Sequence, residues 1–172
     1  MPSAGGSGAA SSVPAPSADG MGEFVCSLPI NGAATVGLAH IANVQTTSDV
    51  GLDEIAFSFS EGTPEFTIQA ATPPYLADPS GLPIEVQGET ALQLTLNGGT
   101  RVSEDGSLTY DGSTNIRVEF PVLRQLVEAG DFEAVSTWFI GLSSTADPCL
   151  RVRLSAEPNA LIIEFQTPPT DY

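Results

Sequence analysis

Few residues in this chain have the chemistry to catalyse or ligate. His40 is the single histidine, in the apolar run Leu38-Ala39-His40-Ile41. A general base of this type needs an orienting carboxylate and a nucleophile beside it. Serines are plentiful, but no Gly-x-Ser-x-Gly elbow appears, so ordinary strand placement is the reading of His40. The twenty-one Asp and Glu offer a second chemistry, a paired-carboxylate glycan hydrolase, in which two acids lie about 5–10 Å apart. With so many acids some pair falls at that distance by chance. Two acidic groupings, Asp49 with Asp53 and Glu54, and Glu104 with Asp105 and Asp111, hold hard oxygens of the kind calcium prefers. Neither has EF-hand or glycine-aspartate-repeat spacing, and turn formation explains Asp105-Gly106 and Asp111-Gly112. No metal and no cofactor is expected.

Recognition chemistry is the other option. Tyr75 in a Pro-rich loop and Tyr110 beside a turn are candidate ligand contacts, as exposed aromatics serve in glycan binding. Trp138 lies in a strongly apolar stretch and reads as core. Arg151 and Arg153 share one strand face and are candidate contacts for an acidic group on a partner, with a solvated charged face as the plainer reading. Cys26 and Cys149 are too far apart for a Cys-x-x-Cys redox pair. A single disulfide is their simplest use and implies an oxidising compartment. Two buried free thiols are the alternative.

Composition narrows the partners. The formal charge is −16, with five Arg and no Lys, so nucleic acid and anionic membrane surfaces are poor partners. No run of 18 apolar residues exists to span a bilayer. No signal peptide is visible, and an exported chain would then begin upstream of Met1.

The elements that must position these residues are written in β. Residues 1–22 hold eighteen Gly, Ser, Ala or Pro and read as a disordered, flexible tether with a reach on the order of 25 Å. From Glu23 to Tyr172 the pattern is one domain. Thr35 to Thr46 opens as a strand, and Leu52 to Ser60 alternates with Ile55, Phe57 and Phe59 on one face. Strands follow at Glu65 to Ala70, Ile84 to Val86, Ala91 to Leu96 and Ile116 to Phe120. Phe132 to Leu142, Leu150 to Leu154 and Leu161 to Phe165 complete the set. Thr72 to Gly81 is loop and turn. One short helix is expected over Pro121 to Gly130, with Pro at its first turn, an apolar stripe at Val122, Leu123, Leu126 and Val127, and Gly at its stop. The whole predicts an all-β antiparallel sandwich.

Three blocks together carry a resemblance: Leu52-Asp53-Glu54-Ile55-Ala56-Phe57-Ser58-Phe59; Asp78-Pro79-Ser80-Gly81-Leu82-Pro83-Ile84-Glu85-Val86 with Leu92 to Leu96; and Gly130-Asp131-Phe132-Glu133-Ala134-Val135 running into Trp138 to Leu142. With Arg151-Val152 and Pro158 to Phe165, the order resembles the AMIN-like domain of bacterial, especially actinobacterial, lipoproteins. The resemblance spans roughly Thr35 to Phe165. It departs from the family at Glu54, where Arg is usual, and Cys26 lacks a lipobox. The resemblance implies an extracytoplasmic, non-catalytic binding module of the cell envelope or a secreted one. Its expected partners are a wall polymer such as peptidoglycan or an envelope protein. A glycan hydrolase and a structural spacer are the alternatives.

Overall fold

The computed structural model describes residues 22–143, 149–156 and 158–168. Residues 1–21 of the expected tether lie outside the described residues. The described residues form eleven strands. A six-stranded sheet has the order β1 (Ile30–Gly32), β4 (Glu65–Ala71), β5 (Thr90–Asn97), β9 (Val135–Leu142), β8 (Leu123–Phe132), β7 (Asn115–Arg117). A five-stranded sheet has the order β10 (Leu150–Ala156), β11 (Asn159–Gln166), β3 (Leu52–Phe59), β2 (Ala39–Asp49), β6 (Gly99–Thr100). Pairing is antiparallel except between β2 and the two-residue β6.

The sandwich forms because both sheets have one apolar face to bury, at roughly 25 cal/mol per Å² removed from water. Ile55, Phe57 and Phe59 of β3 alternate inward as the pattern predicts, and Leu161, Ile163 and Phe165 of β11 join them. Leu92, Leu94 and Leu96 of β5 meet them from the opposite sheet. At the centre lies Trp138, fully buried, edge-on to Phe57 at 5.1 Å. Its indole N–H donates to Ser136 Oγ at 2.7 Å, which meets the polar requirement of a buried Trp.

Asp53 is the buried exception. It points into the interior, where Oδ2 accepts the backbone N–H groups of Val122 (2.7 Å) and Leu123 (2.9 Å), and Oδ1 accepts from Ser48 Oγ. One carboxylate of the five-stranded sheet therefore holds the entry of β8 in the six-stranded one. A buried charge persists only with such partners.

Two expectations need correction. Pro121 to Gly130 is not a helix: Leu123–Phe132 is strand β8, and no helix occurs among the described residues. Its apolar residues serve both faces. Leu126 packs in the main core, while Val127 and Ala129 lie on the opposite face in a second apolar cluster with Phe139. A bulge between Leu123 and Gln125 shifts the phase. Apolar groups on both faces plus one extra residue imitate a helical stripe. Ile84 to Val86 is likewise no strand. It is the returning limb of the loop 72–88, which lies over that second cluster with Tyr75, Ile84 and Val86 packed down. Gly130 and Gly141 allow the loop so close: a Cβ at either would run into the carbonyl of Asp78 or Gln87.

Cys26 and Cys149 are joined in a disulfide. It holds Gly22 to Val25 along the free edge of β10, where Val25 pairs with Leu150 and Gly22 N–H donates to Val152 O. An otherwise open sheet edge is thereby covered.

Candidate functional site

The four proposed contact residues fall in three separate places. Tyr75 is half-buried in the loop 72–88, its ring 5.3 Å from that of Phe139. Tyr110 is buried, with its hydroxyl donating to Ser113 O at 2.7 Å. Burial and the charge of Asp111 raise its pKa.

Arg151 and Arg153 do share a face, on the outer side of the five-stranded sheet, and they meet acids there. Arg151 Nε donates to Glu164 Oε1 at 2.6 Å, and Arg153 reaches both oxygens of Glu164 at 3.2 and 3.0 Å. Glu54 stands directly across from Glu164 in the β3–β11 ladder and 3.7 Å from Arg153. Burial pushes Glu164 up, but hydrogen bonds from Arg153 and Arg151 outweigh it and hold the group down to about 2. Glu54 is raised by burial, then by its hydrogen bond with Glu164 and that neighbour's charge. The ring of Phe24 lies 4.7 Å from the Arg151 guanidinium. The acids of β3 and β11 on this face are thus met by arginines that both come from β10.

A different constellation lies at one end of the sandwich, where the start of β2, β6 and the loop after it, and the β8–β9 turn converge. They enclose an open cavity of about 270 Å³ lined by residues that include His40, Ser103, Glu104, Asp131, Phe132 and Glu133. Glu61 grips His40 twice, accepting from its backbone N–H at 2.8 Å and lying 2.6 Å from Nδ1. Burial raises the Glu61 pKa, and the bonds with His40 reverse that and lower it. Nε2 is the other nitrogen of that imidazole. That atom is buried without a partner. Asp131 anchors the wall, accepting from Thr100 Oγ1 at 2.6 Å and from Arg101 N–H at 2.8 Å. Beside it Arg101 forms a forked ion pair with Glu128, at 2.9–3.1 Å, which raises the guanidinium pKa.

The β8–β9 turn is strained. Glu133 (φ 53°) and Ala134 (φ 61°) both adopt the left-handed conformation that a two-residue hairpin usually gives to Asn or Gly. Phe132, beside them, is 51% exposed.

The calcium groupings do not assemble. Asp49 accepts from Val50 N–H, Asp53 is buried, and Glu54 points to the outer face. Asp105 is held by Ser103 and Ser107, whose hydrogen bonds take its pKa well below the usual range. No group of three His, Cys, Asp or Glu suited to a metal occurs among the described residues. No helix among them is long and apolar enough to cross a membrane.

The same chain order that builds these faces matches one family. Residues 39–167, well over half of the chain, match the AMIN-like domain. The chain belongs to the AMIN-like domain family. No curated protein and no solved structure matches it. For an AMIN-like domain, the disulfide together with the family points to a location outside the cytoplasm. Within it Asp53, from the first resemblance block, is the inter-sheet anchor, and Asp131 to Glu133, from the third, form the cavity wall.

Proposed function

We propose that this AMIN-like domain is a non-catalytic binding module of the bacterial cell envelope, carried on the Gly/Ser/Ala/Pro-rich segment 1–22, with residues 23–172 as the folded unit. Its partner is a wall polymer such as peptidoglycan, or an envelope protein. Membership of the AMIN-like family over residues 39–167 carries the reading. The disulfide supports it through the oxidising compartment that such a bond requires.

One observation weighs against the hydrolase alternative. Glu54 and Glu164 have pKa values pushed apart, as an acid and a nucleophile require. Yet the two carboxyls bond to each other, and Arg151 and Arg153 occupy Glu164. A glycosidic oxygen needs the gap of about 5 Å or more that separates working carboxylates.

Co-sedimentation with purified cell wall, alongside capture of envelope proteins, tests the reading. Retention on one of them, with no product from glycan or peptidoglycan above a heat-denatured control, is expected. Turnover that vanishes in Glu54→Gln or Glu164→Gln would replace the binding reading with the hydrolase.

A further inference from the structure

We infer that the half of the six-stranded sheet left bare by the loop 72–88 is a docking face for a neutral glycan strand, held through its hydroxyl and amide groups. The inference rests on the binding-module reading and gives that module a face and a ligand chemistry.

Strand register builds the face. Phe66, Ile68, Leu94, Leu96 and Trp138 point into the core, so the residues that alternate with them point out. Asn31, Thr67, Thr95 and Thr137 stand side by side on β1, β4, β5 and β9. One row of amide and hydroxyl groups thus crosses three strand spacings, about 14 Å of sheet. Gln69 and Gln93 form the next row, which ends at Phe139. Asn31 and Gln69 are exposed and the other four polar residues half-buried. Two aromatic residues bracket the first row on the β9 side. Tyr75 packs on Phe139 at the end of the second row. Phe132, 51% exposed, is in register with Val135 beyond Thr137.

Charge then selects the occupant. The chain carries 21 acids and a formal −16, and the outer side of the opposite sheet holds four charged side chains. In β1, β4, β5 and β9 the one charged residue is Glu65, at the rim, where the Asn97 amide donates to it at 3.3 Å. A cation therefore finds no paired carboxylates on these strands, and an anion finds no arginine. What they offer instead is a set of groups that both donate and accept. Gln69 and Thr137 make no side-chain hydrogen bond among the described residues, and neither does the Tyr75 hydroxyl. Asn31 uses only its oxygen, accepting from Thr67 Oγ1 at 2.9 Å, and Gln93 donates one N–H to Thr95 at 3.4 Å. Sugar hydroxyls and acetamido groups donate and accept in the same way, and the apolar side of a sugar ring packs on an aromatic ring. A peptide strand adds to a free sheet edge, not to this side-chain face. An apolar partner would leave the amides unpaired.

The test is an amide-resolved NMR titration of the full chain with neutral tetrasaccharides of N-acetylglucosamine, glucose and mannose, with a galacturonic acid tetramer as the anionic control. Saturable shifts at residues 67–69, 93–95 and 135–139 are expected with at least one neutral probe and none with the anionic one. The affinity should be the same in low and high salt, since no charge pair forms. Gln69→Ala and Thr95→Val should each weaken binding by up to about tenfold, as loss of one hydrogen bond implies. Gln69 is exposed, and Val keeps the shape and strand preference of Thr, so both variants fold. Thr47→Val, at an exposed position of β2 on the opposite sheet, should leave the affinity unchanged. Silence with all three neutral probes, shifts confined to other residues, binding lost in high salt, or unchanged affinity in both face variants would overturn the proposal. The two readings separate cleanly. Retention on wall or envelope protein with the face silent toward every sugar would remove the glycan face and leave the module. Sugar binding at the face with no retention on wall or envelope protein would do the reverse.

Discussion

The two outer faces of the sandwich solve the problem of exposure in opposite ways. Over the six-stranded sheet, the loop 72–88 folds back and buries Val127, Ala129 and Phe139 beneath Tyr75, Ile84 and Val86. Gln125 holds the end of that loop, its Oε1 accepting from Gln87 N–H at 2.7 Å. Among the described residues no such loop lies over the five-stranded sheet, and that face is held by charges: Arg151, Arg153, Glu164 and Glu54. The first face gains from removing apolar surface from water. The second gains from pairing charges in partial burial, where each desolvated group offsets much of the attraction. The covered face should therefore respond to side-chain volume, and the open face to pH and salt.

The largest expected effect lies where the open face meets the N-terminal segment. Replacing both Cys26 and Cys149 with Ser releases Gly22 to Val25 from β10 and should cost about 2–5 kcal/mol in denaturant unfolding. Next comes the covered face. Phe139→Ala, beneath Tyr75, should cost about 3 kcal/mol, with the same loss at pH 7 and pH 4 because no titrating group is involved. A loss that varied with pH would join the two faces and break the comparison.

On the open face Glu164→Gln should cost about 1–2 kcal/mol. It breaks an ion pair whose carboxylate side is only 4% exposed, while the arginines remain partly in solvent. The pH dependence has two opposed parts. Glu164, at about 2 in the fold against 4.5 ordinarily, contributes stability above pH 4.5 that is lost as pH falls toward 2. Glu54 is raised, so its ionised form weighs against the fold at neutral pH, and protonation on mild acidification relieves that cost. Unfolding curves across pH 7 to 2 should show a flat or slightly rising limb and then a fall, and Glu164→Gln should flatten the fall. The smallest effect is Glu54→Gln at pH 7, a gain of about 0.5 kcal/mol that shrinks in high salt.

Sequence pattern read the five-stranded sheet well because β3 at its centre has one buried face and one only partly covered. Leu52 to Phe59 alternates without a break, and its inward apolar residues are the ones the pattern names, with Asp53 the one inward residue it does not. The same reasoning failed at Leu123–Phe132 and at Ile84 to Val86, both on the covered face, where a second apolar layer removes the period of two. The end cavity was illegible for another reason. Its residues come from positions 38–40, 61, 100–104 and 131–134, and only the fold brings them together. His40 looked like an ordinary strand residue because its partner, Glu61, lies beyond β3 in the chain. The two left-handed residues at Glu133 and Ala134 left no trace, since no Gly or Asn marks that turn. Tyr110, read as a surface aromatic beside a turn, is core, its hydroxyl satisfied by the backbone of Ser113.

Whether the two faces are held by different forces is decided most directly by denaturant unfolding of the parent chain, Phe139→Ala and Glu164→Gln across pH 7 to 2. Glu164→Gln should flatten the acid fall, while Phe139→Ala loses the same stability at every pH. A Phe139→Ala loss that tracked pH, with the acid fall unchanged in Glu164→Gln, would contradict that division.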